Sequence, residues 1–148
     1  MSSKVPVAYV EMRAFAHATE DEAKVMEALH NTLPTESIGT VNFGKTSLTG
    51  HYGNPIVLFE ARIKGRNTTQ ALLHKISSGL SIMDKQFLDS EIQQHIDKGN
   101  LYLRLDKQSA YTNELKLCQI DPIRLRLHFK KHGTEEVVEI CREFGLLP

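Results

Sequence analysis

An α+β fold, a two-layer sandwich with a mostly antiparallel sheet and helices on one face, is what three features of this 148-residue chain predict. Several stretches alternate apolar and polar residues with period two, as strands with one dry and one wet face do. Stretches of helical spacing, opened by capping residues, lie between them. The two kinds follow as strand, helix, strand, strand, helix, helix, strand, strand, helix, an order that suits a layered sheet rather than repeated βαβ units.

The first strand is expected over residues 7–16, with Val10, Met12 and Ala14 on one side and Tyr9, Glu11, Arg13 and Phe15 on the other. Thr19 with Glu22 reads as a capping box. The helix it opens buries Val25, Met26, Leu29 and Leu33, and Pro34 ends it. A second strand is expected over 41–49, where Val41 and Phe43 alternate. "GHYGNP" (50–55) crowds two glycines, an asparagine and a proline into one turn, so the third strand, 56–64, pairs with the second as a hairpin. Its first half is apolar on both faces, which suits a central position. Its second half sets Glu60, Arg62 and Lys64 on one face.

Gly65 breaks that strand. A helix over 68–80 points Leu72, Leu73 and Ile76 inward. Ser81 and Asp84 cap a further helix, expected to bury Met83, Phe87, Ile92 and Ile96 and to end at "KGN". The next strand, 101–107, alternates Leu101, Leu103 and Leu105 with Tyr102, Arg104 and Asp106, and its polar side runs on into Lys107, Gln108 and Tyr111. Residues 110–119 are ambiguous, with "ELKLC" a candidate edge strand. "PIRLRLHFKK" alternates most sharply: Ile123, Leu125, Leu127 and Phe129 against Arg124, Arg126, His128 and Lys130. A last helix, about 134–144, is capped by Thr134, buries Val137, Val138, Cys141 and Phe144, and stops at Gly145.

Size and composition fit one domain spanning 1–148, long enough to bury a core without staples. Eighteen basic residues balance eighteen acidic ones. That balance excludes a uniformly basic binder of the histone kind but leaves room for a local patch. Cys118 and Cys141 match neither a zinc nor a redox spacing. There is no internal repeat, the N-terminus "MSSKVPVAYV" is not a signal peptide, and no apolar run approaches a membrane span. A soluble, cytoplasmic protein without a membrane partner is expected.

Four strands thus offer a polar face. Together these hold Tyr9, Arg13, Phe15, Arg62, Lys64, Tyr102, Arg104, Arg124, Arg126, His128 and Lys130. Guanidinium groups fork onto phosphate oxygens, and aromatic rings stack unpaired bases, so the combination suits RNA. Two other readings stay open. Glu11, Glu60 and Asp106 share those faces, so the arginines can be ordinary cross-strand ion pairs. The face can also be a dimer interface, where Arg and Tyr are enriched. The turn can present His51, Tyr52 and Asn54 as contacts, or be no more than a turn.

No catalytic or metal site is expected. His128 and His132 are four apart but not on a helix, and the other histidines have no ligand at useful spacing. No Ser, Cys or Thr lies in a nucleophile-elbow context. "GHYGNP" is followed by a strand, so it is no phosphate loop.

"FAHATED", "GHYGNPI", "EARIK" and "NLYLRLDKQSAY" resemble, in that order, the motifs of an archaeal family of predicted RNA-binding, exosome-associated proteins. The resemblance runs over about 7–131. It implies a fold similar to that of the large-subunit ribosomal protein that binds 5S rRNA, a non-enzymatic RNA-binding role tied to RNA processing or the exosome, and no cofactor. Partners implied are RNA and exosome- or ribosome-related proteins, with a homodimer or protein adaptor as the alternative. The motif positions it assigns to RNA are His51, Tyr52, Asn54, Arg62, Lys64, Arg104, Lys107, Gln108 and Tyr111. Alternation alone adds Arg13, Tyr102, Arg124, Arg126 and Lys130. Asp106 is expected to orient Arg104 or Lys107.

Overall fold

The computed structural model describes residues 6–148, so the start of the stretch read for a signal peptide lies outside the described residues. Its sheet is built on β1 (Val7–Ala16), where alternation places Val7, Val10, Met12, Ala14 and Ala16 in the core. α1 (Glu22–Thr32) follows, then β2 (Gly44–Thr49), β3 (Pro55–Ile63), α2 (Arg66–Gly79), α3 (Ile82–Ser90), α4 (Ile92–His95), β4 (Ile96–Asp97), β5 (Asn100–Leu105), α5 (Lys107–Tyr111), β6 (Ile123–Phe129) and α6 (Thr134–Glu143). The strands form one six-stranded sheet in the order β2-β3-β1-β6-β5-β4. Every neighbouring pair is antiparallel. The fold is the α+β arrangement that the order of periodicities predicts.

The dry faces of β1, β5 and β6 meet the apolar faces of α1 and α2 in one core that includes Leu29, Leu72, Leu73, Ile76, Leu101, Leu103, Leu125 and Leu127. Lys75 ties the helical layer together: its Nζ donates to the carbonyls of Asn31 and Leu33, both at 2.6 Å, at the C-terminal end of α1, where the helix dipole favours a cation. Among the described residues no helix is long and apolar enough to cross a membrane.

Several local expectations differ. The N-cap of α1 is Asp21, whose carboxylate accepts from Ala23 N at 2.9 Å, rather than Thr19. The second strand starts only at Gly44, because Val41 turns back onto Ser37 O and packs with Phe43 against the core edge. The third helical stretch is two pieces. Ser81 caps the first as expected, accepting from Asp84 N at 3.1 Å. Glu91, at φ −118 and ψ 19, then leaves helical geometry. The stretch buries Leu88 and Ile92, which leaves Met83 76% and Phe87 41% exposed instead of buried. Thr134 is the first residue of α6 and Gly133 its N-cap, without a side-chain cap.

The largest difference lies after β5. Asp106 does not orient a neighbouring cation; it caps α5, accepting from Ser109 N at 3.2 Å and Ser109 Oγ at 2.6 Å. The polar run Lys107–Tyr111 therefore leaves the sheet for the helical layer, where Asn31 Nδ2 donates to the carbonyls of Ala110 and Tyr111. "ELKLC" contributes a single bridge, Leu117 to Leu105, rather than a strand.

Candidate functional site

Antiparallel register converts the alternation of separate strands into rows across the open face. One row pairs Glu60 with Arg13, Arg13 with Arg124, and Arg124 with Arg104. The next pairs Arg62 with Glu11, Glu11 with Arg126, and Arg126 with Tyr102. A third pairs Tyr9 with His128 and His128 with Asn100. The face is therefore an arginine lattice with two glutamates set into it.

The glutamates account for part of the charge. Arg13 Nη2 donates to Glu60 Oε2 at 2.9 Å. Arg62 Nη2 donates to Glu11 Oε2 at 2.7 Å, and Arg126 closes on Glu11 Oε1 from the other side. Burial by itself would push the Glu11 carboxyl up; the hydrogen bonds and charges of Arg62 and Arg126 outweigh it and hold it below the usual carboxylate value. These are the cross-strand pairs of an ordinary sheet face. Arg104 and Arg124 are not in such pairs. Arg104 reaches only Gln119 Oε1, at 3.4 Å, and among the described residues Arg124 has no ion pair or hydrogen bond from its side chain. Three guanidinium groups thus stand side by side in one row with one carboxylate at its end. Like charges directly opposite one another are unfavourable without a counter-anion.

That row floors a depression of about 510 Å³. Arg13, Arg104, Arg124, Arg126 and Tyr102 form its base, and Glu91, Gln94, His95 and Gln119 stand around it. The break at Glu91 lets α4 curl over the outer edge of β5, where His95 Nδ1 lies 3.0 Å from Tyr102 O. Gln119 comes from the irregular segment whose Cys118 N donates to Arg104 O. These wall residues escape a strand-pattern reading because a helix and a loop bring them.

Tyr9 anchors the other end of the face. The Arg62 guanidinium lies 4.2 Å from its ring centroid, the His128 ring stacks at 4.8 Å, and Arg126 Nη2 donates to its hydroxyl at 3.2 Å. His128 Nδ1 lies 2.8 Å from Asn100 Oδ1. Burial, then the charges of His132, Arg126 and Arg62, lower the His128 pKa below its usual value. Lys64 and Lys130, just past the ends of β3 and β6, are exposed at that end of the sheet.

The remaining expected contacts lie elsewhere. His51, Tyr52 and Asn54 are exposed at the tip of the β2–β3 hairpin, closed by Gly50 N to Asn54 O, with Gly53 at φ +80 in a conformation that glycine adopts freely. Tyr52 is 86% exposed. Gln108 and Tyr111 line a groove against α1 together with Lys24. Lys107 is buried: its Nζ donates to Phe15 O at 2.8 Å and Glu20 Oε1 at 2.9 Å, and pairs with Asp121 Oδ2 at 2.8 Å. Its ammonium is enclosed by its own chain. His17, Glu20 and Asp121 also gather near one another, but Lys107 already meets both carboxylates there. Buried Cys141 has its thiol pushed up to about 12 by burial, which leaves it inert.

A family model described as RNA binding matches residues 9–129. RNA-binding protein PAB1135 of Pyrococcus abyssi is 35% identical over 149 residues, covering 97% of each chain. The solved structure of Mth689, a DUF54 protein from Methanothermobacter thermautotrophicus, matches with TM-score 0.79 at 27% identity over 95% of this chain and 98% of that one. Protein SSO0741 from Sulfolobus solfataricus matches with TM-score 0.73 at 26% identity over 92% and 96%.

Proposed function

The chain belongs to the RNA-binding family whose model matches residues 9–129, and from that premise we propose that it is a non-enzymatic RNA-binding protein whose open sheet face takes the phosphate backbone. The row Arg13–Arg124–Arg104 carries this reading. Its guanidinium forks match phosphate oxygens, and a bound phosphate relieves the repulsion within the row. Tyr102, 38% exposed beside that row, offers a ring to a base. Arg62 and Arg126, tied to Glu11, hold the lattice in shape and leave the outer guanidinium edges to the backbone. Lys64 and Lys130 extend the positive path to one end of the sheet. The hairpin tip with His51, Tyr52 and Asn54 makes a second contact. Lys107, enclosed by its own chain, takes no part, and Gln108 and Tyr111 would serve a separate groove.

The finer reading follows from the resemblance of the four motifs: a cytoplasmic archaeal accessory of RNA processing or the exosome, with a fold like that of the 5S-rRNA-binding ribosomal protein. Co-purification of the tagged chain with exosome or ribosomal subunits in its own host tests that link.

Fluorescence anisotropy with single-stranded and structured RNAs across a salt series tests the central claim. Affinity should fall log-linearly with salt, with a slope of about 0.7–0.9 for each phosphate contact. Arg124→Ala should lower that slope by about one contact. Failure to bind any RNA at low salt overturns the reading. Dimerisation abolished by Arg124→Ala, with RNA binding intact, would reassign the face to a protein interface.

A further inference from the structure

The depression beside the arginine row is more than a phosphate platform needs. A platform needs exposed cations; this site adds walls that carry a carboxylate, two carboxamides and an aromatic ring. Its volume of about 510 Å³ falls within the roughly 300–1,000 Å³ of sites for small ligands. Glu91 stands out. It lines an arginine-rich depression, yet among the described residues its carboxylate makes no ion pair or hydrogen bond. It is half-buried, and the break between α3 and α4 sets its direction. A carboxylate only accepts hydrogen bonds, whereas Gln94 and Gln119 both donate and accept.

Resting on the RNA-binding reading, we propose that this depression seats one unpaired nucleotide and favours guanine. The phosphate lies on Arg104 and Arg124. The base lies against Tyr102, whose backbone is held by His95. Glu91 accepts from the base edge. Guanine alone presents two adjacent donors there, N1–H and the N2 amino group, which match the two oxygens of one carboxylate. Adenine and cytosine present one amino donor beside an acceptor. Uracil presents one N–H flanked by two carbonyl oxygens that repel a carboxylate. The order of preference is therefore guanine, then adenine and cytosine, then uracil. A base in a duplex cannot enter, because its Watson–Crick edge is engaged and its faces are stacked. The ligand class is single-stranded RNA, or a loop or bulge with an extruded guanine.

The first arm is an NMR titration of the ¹⁵N-labelled full chain with GMP, AMP, CMP and UMP. GMP should shift the amides of Glu91, Gln94, Tyr102 and Gln119 at lower concentration than UMP. The second arm is anisotropy with two hairpin RNAs that differ by one loop nucleotide, G or U, and with a fully paired duplex. The G loop should bind at least 5-fold more tightly than the U loop, and the duplex most weakly. Glu91→Gln should cut the G-over-U ratio to below 2-fold while leaving the salt slope unchanged, and Tyr102→Leu should weaken both loops. If the chain binds every RNA equally and Glu91→Gln changes nothing, the seat is overturned and the platform stands. No binding to any RNA overturns both. Circular dichroism of each variant separates a lost seat from a lost fold.

Discussion

Lys107 and Arg124 show how little residue type says about a cation's role. Both read from the sequence as cations on the polar side of a strand or just past its end. Arg124 stands exposed among other arginines; Lys107 is enclosed by Phe15 O, Glu20 and Asp121. Lys107→Met keeps the stem but leaves the two carboxylates without their cation. Because both are about one-third exposed, the expected loss is about 2 kcal/mol, below the 3–5 of a fully buried pair, read from urea unfolding. RNA affinity of the folded variant should be unchanged, opposite to Arg124→Ala. Acid should act through the same contacts. Burial would raise the Asp121 carboxyl, but hydrogen bonds and charge from Lys107 and His17 hold it low, and Glu11 is held low by its arginines. A lowered folded-state value means stability that is full above the unfolded carboxylate value of about 4 and lost as pH falls through the folded value. The urea midpoint should therefore decline slightly as pH falls below about 6.5, where the unfolded chain protonates the His128 imidazole before the fold does, and drop most steeply below about 4. Lys107→Met should shrink that drop.

At the scale of elements, α3 shows where a helical pattern is degenerate. Met83, Phe87, Leu88 and Ile92 offer two apolar stripes, and spacing cannot choose between them. The fold buries Leu88 fully and exposes Met83, because Leu88 shares its inward side with Ile92 of the next turn. Leu88→Ala should cost about 2–5 kcal/mol, whereas Met83→Ser should stay within about 0.5. Thermal or urea unfolding decides; the reverse order would mean that the stripe read from the sequence faces in. The β4–β5 turn makes a second test. Gly99 has φ +82, and a Cβ there would lie 2.9 Å from Lys131 O. Gly99→Ala should cost roughly 1–2 kcal/mol through that backbone contact and the left-handed conformation. The β2–β3 hairpin is the opposite case: its turn is legible from "GHYGNP" because glycine and proline act locally.

For the whole molecule, zero net charge conceals a division of charge. The open face carries Arg13, Arg62, Arg104, Arg124 and Arg126, and Lys64, Lys98, Lys130 and Lys131 follow at one end of the sheet. Glu20, Asp21 and Asp121 gather at the other end. A neutral chain can therefore present a positive surface to an anionic polymer. One core cluster links both layers, including Val137 and Cys141 of α6 and the buried Leu146 and Leu147. Urea unfolding followed by circular dichroism and by tyrosine fluorescence should give coincident single transitions, with α6 melting together with the sheet. An earlier transition confined to one probe would make the C-terminal helix a separate unit.

The sequence by itself determined the layered fold, the faces of β1, β3, β5 and β6, and the β2–β3 hairpin turn. Period-two alternation, caps and turn residues are local, and each acts through its neighbours along the chain. It also marked Arg13, Arg104, Arg124 and Tyr102 as polar-face residues. Only tertiary structure decided which of them meet. Register set Arg13, Arg124 and Arg104 in one row and gave Glu11 to Arg62 and Arg126. The cap at Asp106 took Lys107, Gln108 and Tyr111 off the face. The break at Glu91 brought a carboxylate and two side-chain neighbours to the arginine row. Pairing between strands and the path of an irregular segment depend on contacts distant in sequence, which no local pattern encodes.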